Sequence, residues 1–251
     1  MEQSIKIMVN KITRILSDDN PSIYLFGSVV LDDFKFGWSD IDFICLTEKT
    51  ILDEQADELV PLRQTLLAEY PENKYFRLFE GVMMTLEAFI KNSGDTVVYW
   101  GTSGQRLVRN WGLCQFGKIE LLENGRLLFG NDIRRLISYP TKTEIINEIK
   151  HTYENISEFG VKFPAGPWLL DIARCLYTLK TNKVIAKTNA GEWAIENNLC
   201  PDLSVMKRVV EIRKNPLKLK NSDETKEWNK TLAPYIQKFL DVLRAELEKT
   251  V

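Results

Sequence analysis

The sequence predicts an α+β domain, residues 1–141, followed by an all-α domain, residues 142–251. Three observations carry this. Short runs rich in β-branched and aromatic residues, "IYLFGSVV" and "IDFICL", fall in the first part. Strand signals stop beyond about residue 140. From there a succession of stretches at helical spacing runs to the end.

The elements follow in order. Ile5, Ile7, Met8, Ile12 and Ile15 recur at near-helical spacing over residues 4–16, and "SDDNPS" breaks the pattern. The two β-rich runs come next, joined by a glycine-containing loop. "ILDEQADELVPLRQTLLAEY" returns to helical spacing, and "RLFEGVMMTLEAFI" has the length and bulk of a further strand. The segment "NSGDTVVYWGTSG" reads as loop. Five helices are then expected: "TKTEIINEIKHTYENISEF", "GPWLLDIARCLYTLKT", "TNAGEWAIENN", "DLSVMKRVVEIRK" and one long final stretch, "DETKEWNKTLAPYIQKFLDVLRAELEK".

Composition excludes several function classes. The 251 residues carry a net charge of -2, which gives no global electrostatic reason for a nucleic-acid or membrane-surface partner. Residues 1–140 hold 15 basic and 20 acidic side chains and the remainder 18 and 15, so the halves carry about -5 and +3. No stretch approaches the roughly 18 apolar residues of a membrane span, and a cytoplasmic location is expected. Cys45, Cys114, Cys175 and Cys200 stand singly and read as buried thiols, not as a zinc site or disulfide framework. The single histidine, His151, reads as a helix-surface residue. Acid–base chemistry then falls to carboxylates, lysine or tyrosine.

The stretch "LFGSVVLDDFKFGWSDIDFICL", residues 25–46, concentrates the chemistry. Side chains alternate faces along a strand, so Asp40 and Asp42 point the same way and converge on one spot. Paired like charges are costly unless a cation neutralises them, and Mg²⁺ held by oxygen ligands is the natural candidate. Gly27 permits close approach of backbone or ligand, and Ser28 offers a hydroxyl and an N–H suited to a phosphate oxygen. A third carboxylate could come from Glu80 or Glu87. Seven residues apart, they face opposite sides of a regular strand, and periodicity does not choose between them.

The combination of L-[FY]-G-S with D-I-D-[FL] about a dozen residues later resembles the signature of the nucleotidyltransferase superfold shared by DNA polymerase β. More closely, the chain resembles the bacterial aminoglycoside nucleotidyltransferases that adenylylate streptomycin and spectinomycin. Arg77-Leu-Phe-Glu80 matches that family's R-x-x-E, and "DIARCLYTLKTNKVIAKTNAGEWA", residues 171–194, matches its helical-domain segment. The resemblance implies a mixed sheet flanked by helices, then a helical bundle. It implies Asp40 and Asp42 as metal ligands, Glu80 as catalytic base, Gly27 and Ser28 on the nucleotide, and Arg174 and Lys187 reaching the triphosphate. Trp100 would correspond to a substrate-stacking tryptophan, with a buried core tryptophan as the equal alternative. Where the family places carboxylates that hold a cationic drug, this chain has Pro164, Ala165 and Gly166.

The expected reaction is transfer of AMP from ATP, with Mg²⁺, to a hydroxyl of an aminoglycoside-type antibiotic by a monomeric enzyme with no membrane or nucleic-acid partner. A lincosamide, protein or RNA hydroxyl is the alternative acceptor, and a non-catalytic relative the alternative class. The basic run "KRVVEIRKNPLKLK" reads as a solvated helix face.

Overall fold

The computed structural model describes residues 1–91, 95–109 and 111–250. They form two compact units, one of residues 1–30 and 40–139, the other of residues 31–39 and 140–251.

The first unit is built on a six-stranded mixed sheet: β1 (Ser22–Leu25), β2 (Ile41–Thr47), β3 (Phe79–Thr85), β4 (Thr96–Gly101), β5 (Gly104–Arg109) and β6 (Arg126–Phe129), in the order β5-β4-β3-β2-β1-β6. Only β2 and β3 run parallel; they are joined by α2 (Asp53–Glu69), the helical crossover such a pair requires. With α1 (Glu2–Ile15), α3 (Leu86–Lys91) and α4 (Gln115–Asn124) as the remaining helices of this unit, the central strands are buried on both faces. The sheet corrects three expectations. "TVVYWG" and "GQRLVR" form a hairpin instead of loop, whereas residues 92–94 of that expected loop lie outside the described residues. The strand expected over "RLFEGVMMTLEAFI" starts only at Phe79 and gives way to α3 at Leu86, with Arg77 in a 3₁₀ turn ahead of it. Cys114 is exposed and caps α4 through Sγ, which accepts from the Gly117 N–H at 3.4 Å.

The second unit contains α5 (Lys142–Asn155) with a π-helical turn (Ile156–Gly160), α6 (Gly166–Thr181), α7 (Lys187–Glu196), α8 (Leu203–Lys214), α9 (Pro216–Leu219), α10 (Asp223–Lys230) and α11 (Ala233–Glu248). Local chemistry sets the starts. Thr141 and Glu144 form a capping box, and Asp202 and Ser222 cap α8 and α10. The expected single final helix is two, because Pro234 cannot donate to a preceding turn and opens α11. The loop 31–39 groups with these helices, held by contacts of Asp33 and Trp38 described below. His151 is exposed on α5.

Candidate active site

Two hydrogen bonds join the Gly-Ser turn to the aspartate strand. The Phe26 N–H donates to the Asp42 carbonyl at 3.1 Å, and Ser28 Oγ lies 3.4 Å from the Asp40 carbonyl. Gly27 begins a 3₁₀ turn at φ +69°, and a Cβ there would collide with the Asp42 carboxylate. The turn can therefore lie against Asp42 only with glycine at this position. In the parallel β2–β3 ladder Asp42 is paired with Glu80, each the half-buried second residue of a strand otherwise buried. Gly81 keeps that pairing close, since any side chain there would meet the Phe43 backbone. Gly27, Ser28, Asp40, Asp42 and Glu80 are thus brought together, by backbone bonds and register.

The charge of Asp40 is felt at Glu80. Burial, and then the charge of Asp40, push the Glu80 carboxyl above its ordinary range, against the pull of a Tyr99 hydrogen bond and the Arg63 charge. Tyr99 donates its hydroxyl to Glu80 Oε1 at 3.2 Å, and burial followed by the Glu80 charge holds this phenol protonated to higher pH. Sequence reading missed Arg63. Buried on α2, it donates to the carbonyls of Phe79 (2.7 Å) and Gly101 (2.8 Å), tying the residue before Glu80 to the end of β4. Burial lowers its pKa, while Glu80 and Asp40 act to keep it charged. Arginine inside an ordinary helical pattern gives no sign of this role.

Of the two readings of Trp100, substrate stacking is overturned and the core alternative holds. It is fully buried, packs edge-on against Phe43 with ring centres 5.4 Å apart, and donates Nε1–H to the Leu59 carbonyl at 2.9 Å. Glu87 is on α3, paired with Lys91 at 2.5 Å on an exposed face, so the strand-parity comparison with Glu80 does not apply.

In the helical unit, Arg174 lies half-buried on α6 and Lys187 opens α7. Lys187 Nζ is 2.7 Å from the Asp171 carboxylate. The basic run is not a solvated face throughout: Arg213 is buried against Asp33, Arg208 pairs with Glu224, and Lys214 pairs with Glu192.

Among the described residues no three His, Cys, Asp or Glu side chains stand in metal-holding geometry. Two carboxylates nevertheless fit Mg²⁺, which keeps several waters and takes substrate phosphates as its other ligands. The Asp40 charge that raises the Glu80 pKa is the kind of repulsion a divalent ion would relieve.

Residues 9–78 match the family model of the nucleotidyltransferase domain, and residues 141–239 that of the C-terminal domain of aminoglycoside adenylyltransferases. With the mixed sheet and its carboxylates, these matches define an enzyme, a nucleotidyltransferase of the DNA polymerase β-like superfamily. Within that superfamily the two matches together support an aminoglycoside nucleotidyltransferase. No curated protein matches the chain. Among solved structures it is similar to the spectinomycin adenyltransferase AAD(9) from Enterococcus faecialis with ATP and spectinomycin, at 18% identity over 97% of this chain and 99% of that one, with a TM-score of 0.63. At that identity the likeness shows the fold. Two toxin–antitoxin structures, one with AMP-PNP and one a mutant of the pair MntA-HpeT, match 59% of this chain and 90% of theirs at 18% and 16% identity, with a TM-score of 0.27 that bears no weight.

Proposed function

We propose that the enzyme transfers AMP from ATP, with Mg²⁺, to a hydroxyl of spectinomycin or streptomycin and releases pyrophosphate. The observation that carries this reading is the cluster of Asp40, Asp42 and Glu80 beside the Gly27–Ser28 turn. Ser28 and the backbone of its turn hold phosphate oxygens, and Arg174 and Lys187 neutralise the triphosphate. Asp40 and Asp42 hold the ion, which when bound neutralises phosphate charge and makes the α-phosphorus more electrophilic. Glu80 accepts the proton of the acceptor hydroxyl as that oxygen attacks the α-phosphorus; the bond to the bridging oxygen breaks and pyrophosphate leaves. Its raised pKa suits it to the task, and the Tyr99 hydroxyl at Oε1 orients the carboxylate. ATP and spectinomycin as substrates gain support from the AAD(9) structure that contains both.

One observation favours the less cationic drug. The Arg106 guanidinium carbon lies 5.0 Å from the centre of the Tyr99 ring, whose hydroxyl bonds to Glu80, and a drug bound there would bring the two guanidinium groups of streptomycin, more than the amines of spectinomycin, against a like charge. Arg109 lines the same open 290 Å³ pocket with Tyr99 and Trp111. The test is mass spectrometry after incubation with ATP, Mg²⁺ and spectinomycin, streptomycin, kanamycin or lincomycin. The reading expects a gain of one AMP on spectinomycin. No gain on any acceptor, with ATP still bound, moves the acceptor to a protein or RNA hydroxyl.

A further inference from the structure

Asp33 lies in the loop between the Gly-Ser and Asp-Ile-Asp motifs, and its side chain and that of Arg213 are each only 4% exposed. Its carboxylate accepts hydrogen bonds from Thr188 Oγ1 at 2.6 Å, from Arg213 Nη2 at 2.7 Å and Nε at 3.2 Å, and from the Thr188 N–H at 3.3 Å. Arg213 Nε also donates to Thr188 Oγ1 at 3.0 Å, which closes the triangle. The N-cap residue of α7, Ala186, has no side chain able to cap. Asp33, 155 residues from Thr188 in sequence, supplies that cap to the first turn. The loop is fastened again at its other end. Trp38 has the Arg213 guanidinium carbon 5.4 Å and Lys220 Nζ 5.2 Å from its ring centre, and Lys220 donates to the Gly37 carbonyl at 3.0 Å.

Lys187 is the first residue of α7, next to the Thr188 that Asp33 grips. We propose that Asp33 is a positioning residue for the nucleotide: by fixing the first turn of α7 it sets Lys187 where the triphosphate is met. This rests on the reading of Lys187 given above. Two other roles for Asp33 differ in sign. An electrostatic role alone would make Asp33→Asn bind a polyanion more tightly, because a negative charge is removed. A stabilising role alone would lower the melting temperature and leave the affinity of the folded protein unchanged.

The test is isothermal titration of the full chain with ATP and Mg²⁺, without acceptor, at a temperature where each variant is folded by circular dichroism. Asp33→Asn is expected to weaken binding about tenfold, the scale on which a lost cap acts. Lys187→Ala weakens it as well, and the double variant binds no more weakly than Lys187→Ala alone, because both changes remove one effect. Thr188→Ala keeps the Asp33–Arg213 pair and serves if Asp33→Asn does not fold; about threefold weakening is expected. Unchanged or tighter binding in the folded variant, or additive losses in the double variant, overturns the proposal while the reading of Lys187 stands. Full affinity in Lys187→Ala itself overturns that reading and the proposal with it.

Discussion

Glu80 and Asp33 are carboxylates withdrawn from water in different units, and their surroundings move them in opposite directions. Burial raises both pKa values. At Glu80 the Asp40 charge adds to it, and the Tyr99 hydroxyl with the Arg63 charge only partly compensates. At Asp33 the Thr188 hydroxyl and the Arg213 fork overcome it, and the pKa falls. Desolvation alone therefore does not tell a reactive carboxylate from a structural one; the charge and donors around it do. On the proposed reading Glu80 is the group that takes a proton, whereas the donors around Asp33 favour its ionised form.

The sharpest way to break this contrast is to neutralise each carboxylate in turn. Glu80→Gln should lower the rate of transfer by roughly 10²–10⁴-fold with ATP affinity nearly unchanged, read by product mass and by isothermal titration. Asp42→Asn or removal of Mg²⁺ by chelation should also abolish transfer, and added Mg²⁺ should restore it only in the wild type. Asp33→Asn should instead cost about 3–5 kcal/mol of stability, because Arg213 is left buried without its carboxylate. Pairing it with Arg213→Met should recover most of the lost urea midpoint. The pH dependence follows from the lowered Asp33 pKa. Its contribution is complete above the unfolded value of about 3.8 and is lost as pH falls through the lower folded value, so acid titration followed by circular dichroism should show a steeper loss below pH ~4 in the wild type than in Asp33→Asn. The smallest effect is expected at Arg106: Arg106→Ala should raise kcat/KM for streptomycin relative to spectinomycin by about two- to threefold, as befits an exposed charge.

The parts legible in the sequence are those whose cause is local. Turn chemistry and strand period placed Gly27, Ser28, Asp40 and Asp42 in one motif, and helical spacing gave α6 its bounds. What stayed hidden depends on partners remote in sequence. "TVVYWG" is a strand because it pairs with both β3 and β5, yet the glycines and serines around it read as loop. Trp100 has the composition of a stacking residue and the neighbours of a core one. Asp33 is one of two adjacent loop aspartates, and only its bonds to residues 155 and 180 positions away distinguish it. Resemblance favours Glu80 over Glu87, and periodicity does not separate them; the strand register pairs Glu80 with Asp42, while the helix at Leu86 takes Glu87 out of the strand.

The most direct test of the catalytic role of the sheet cluster is a side-by-side assay of label transfer from α-phosphate-labelled ATP to spectinomycin by the wild type, Glu80→Gln and Asp33→Asn, each at saturating ATP and a temperature where it is folded. The prediction is labelled spectinomycin from the wild type and from Asp33→Asn, and none above background from Glu80→Gln. Undiminished transfer by Glu80→Gln, or an unlabelled drug in every reaction, would contradict it.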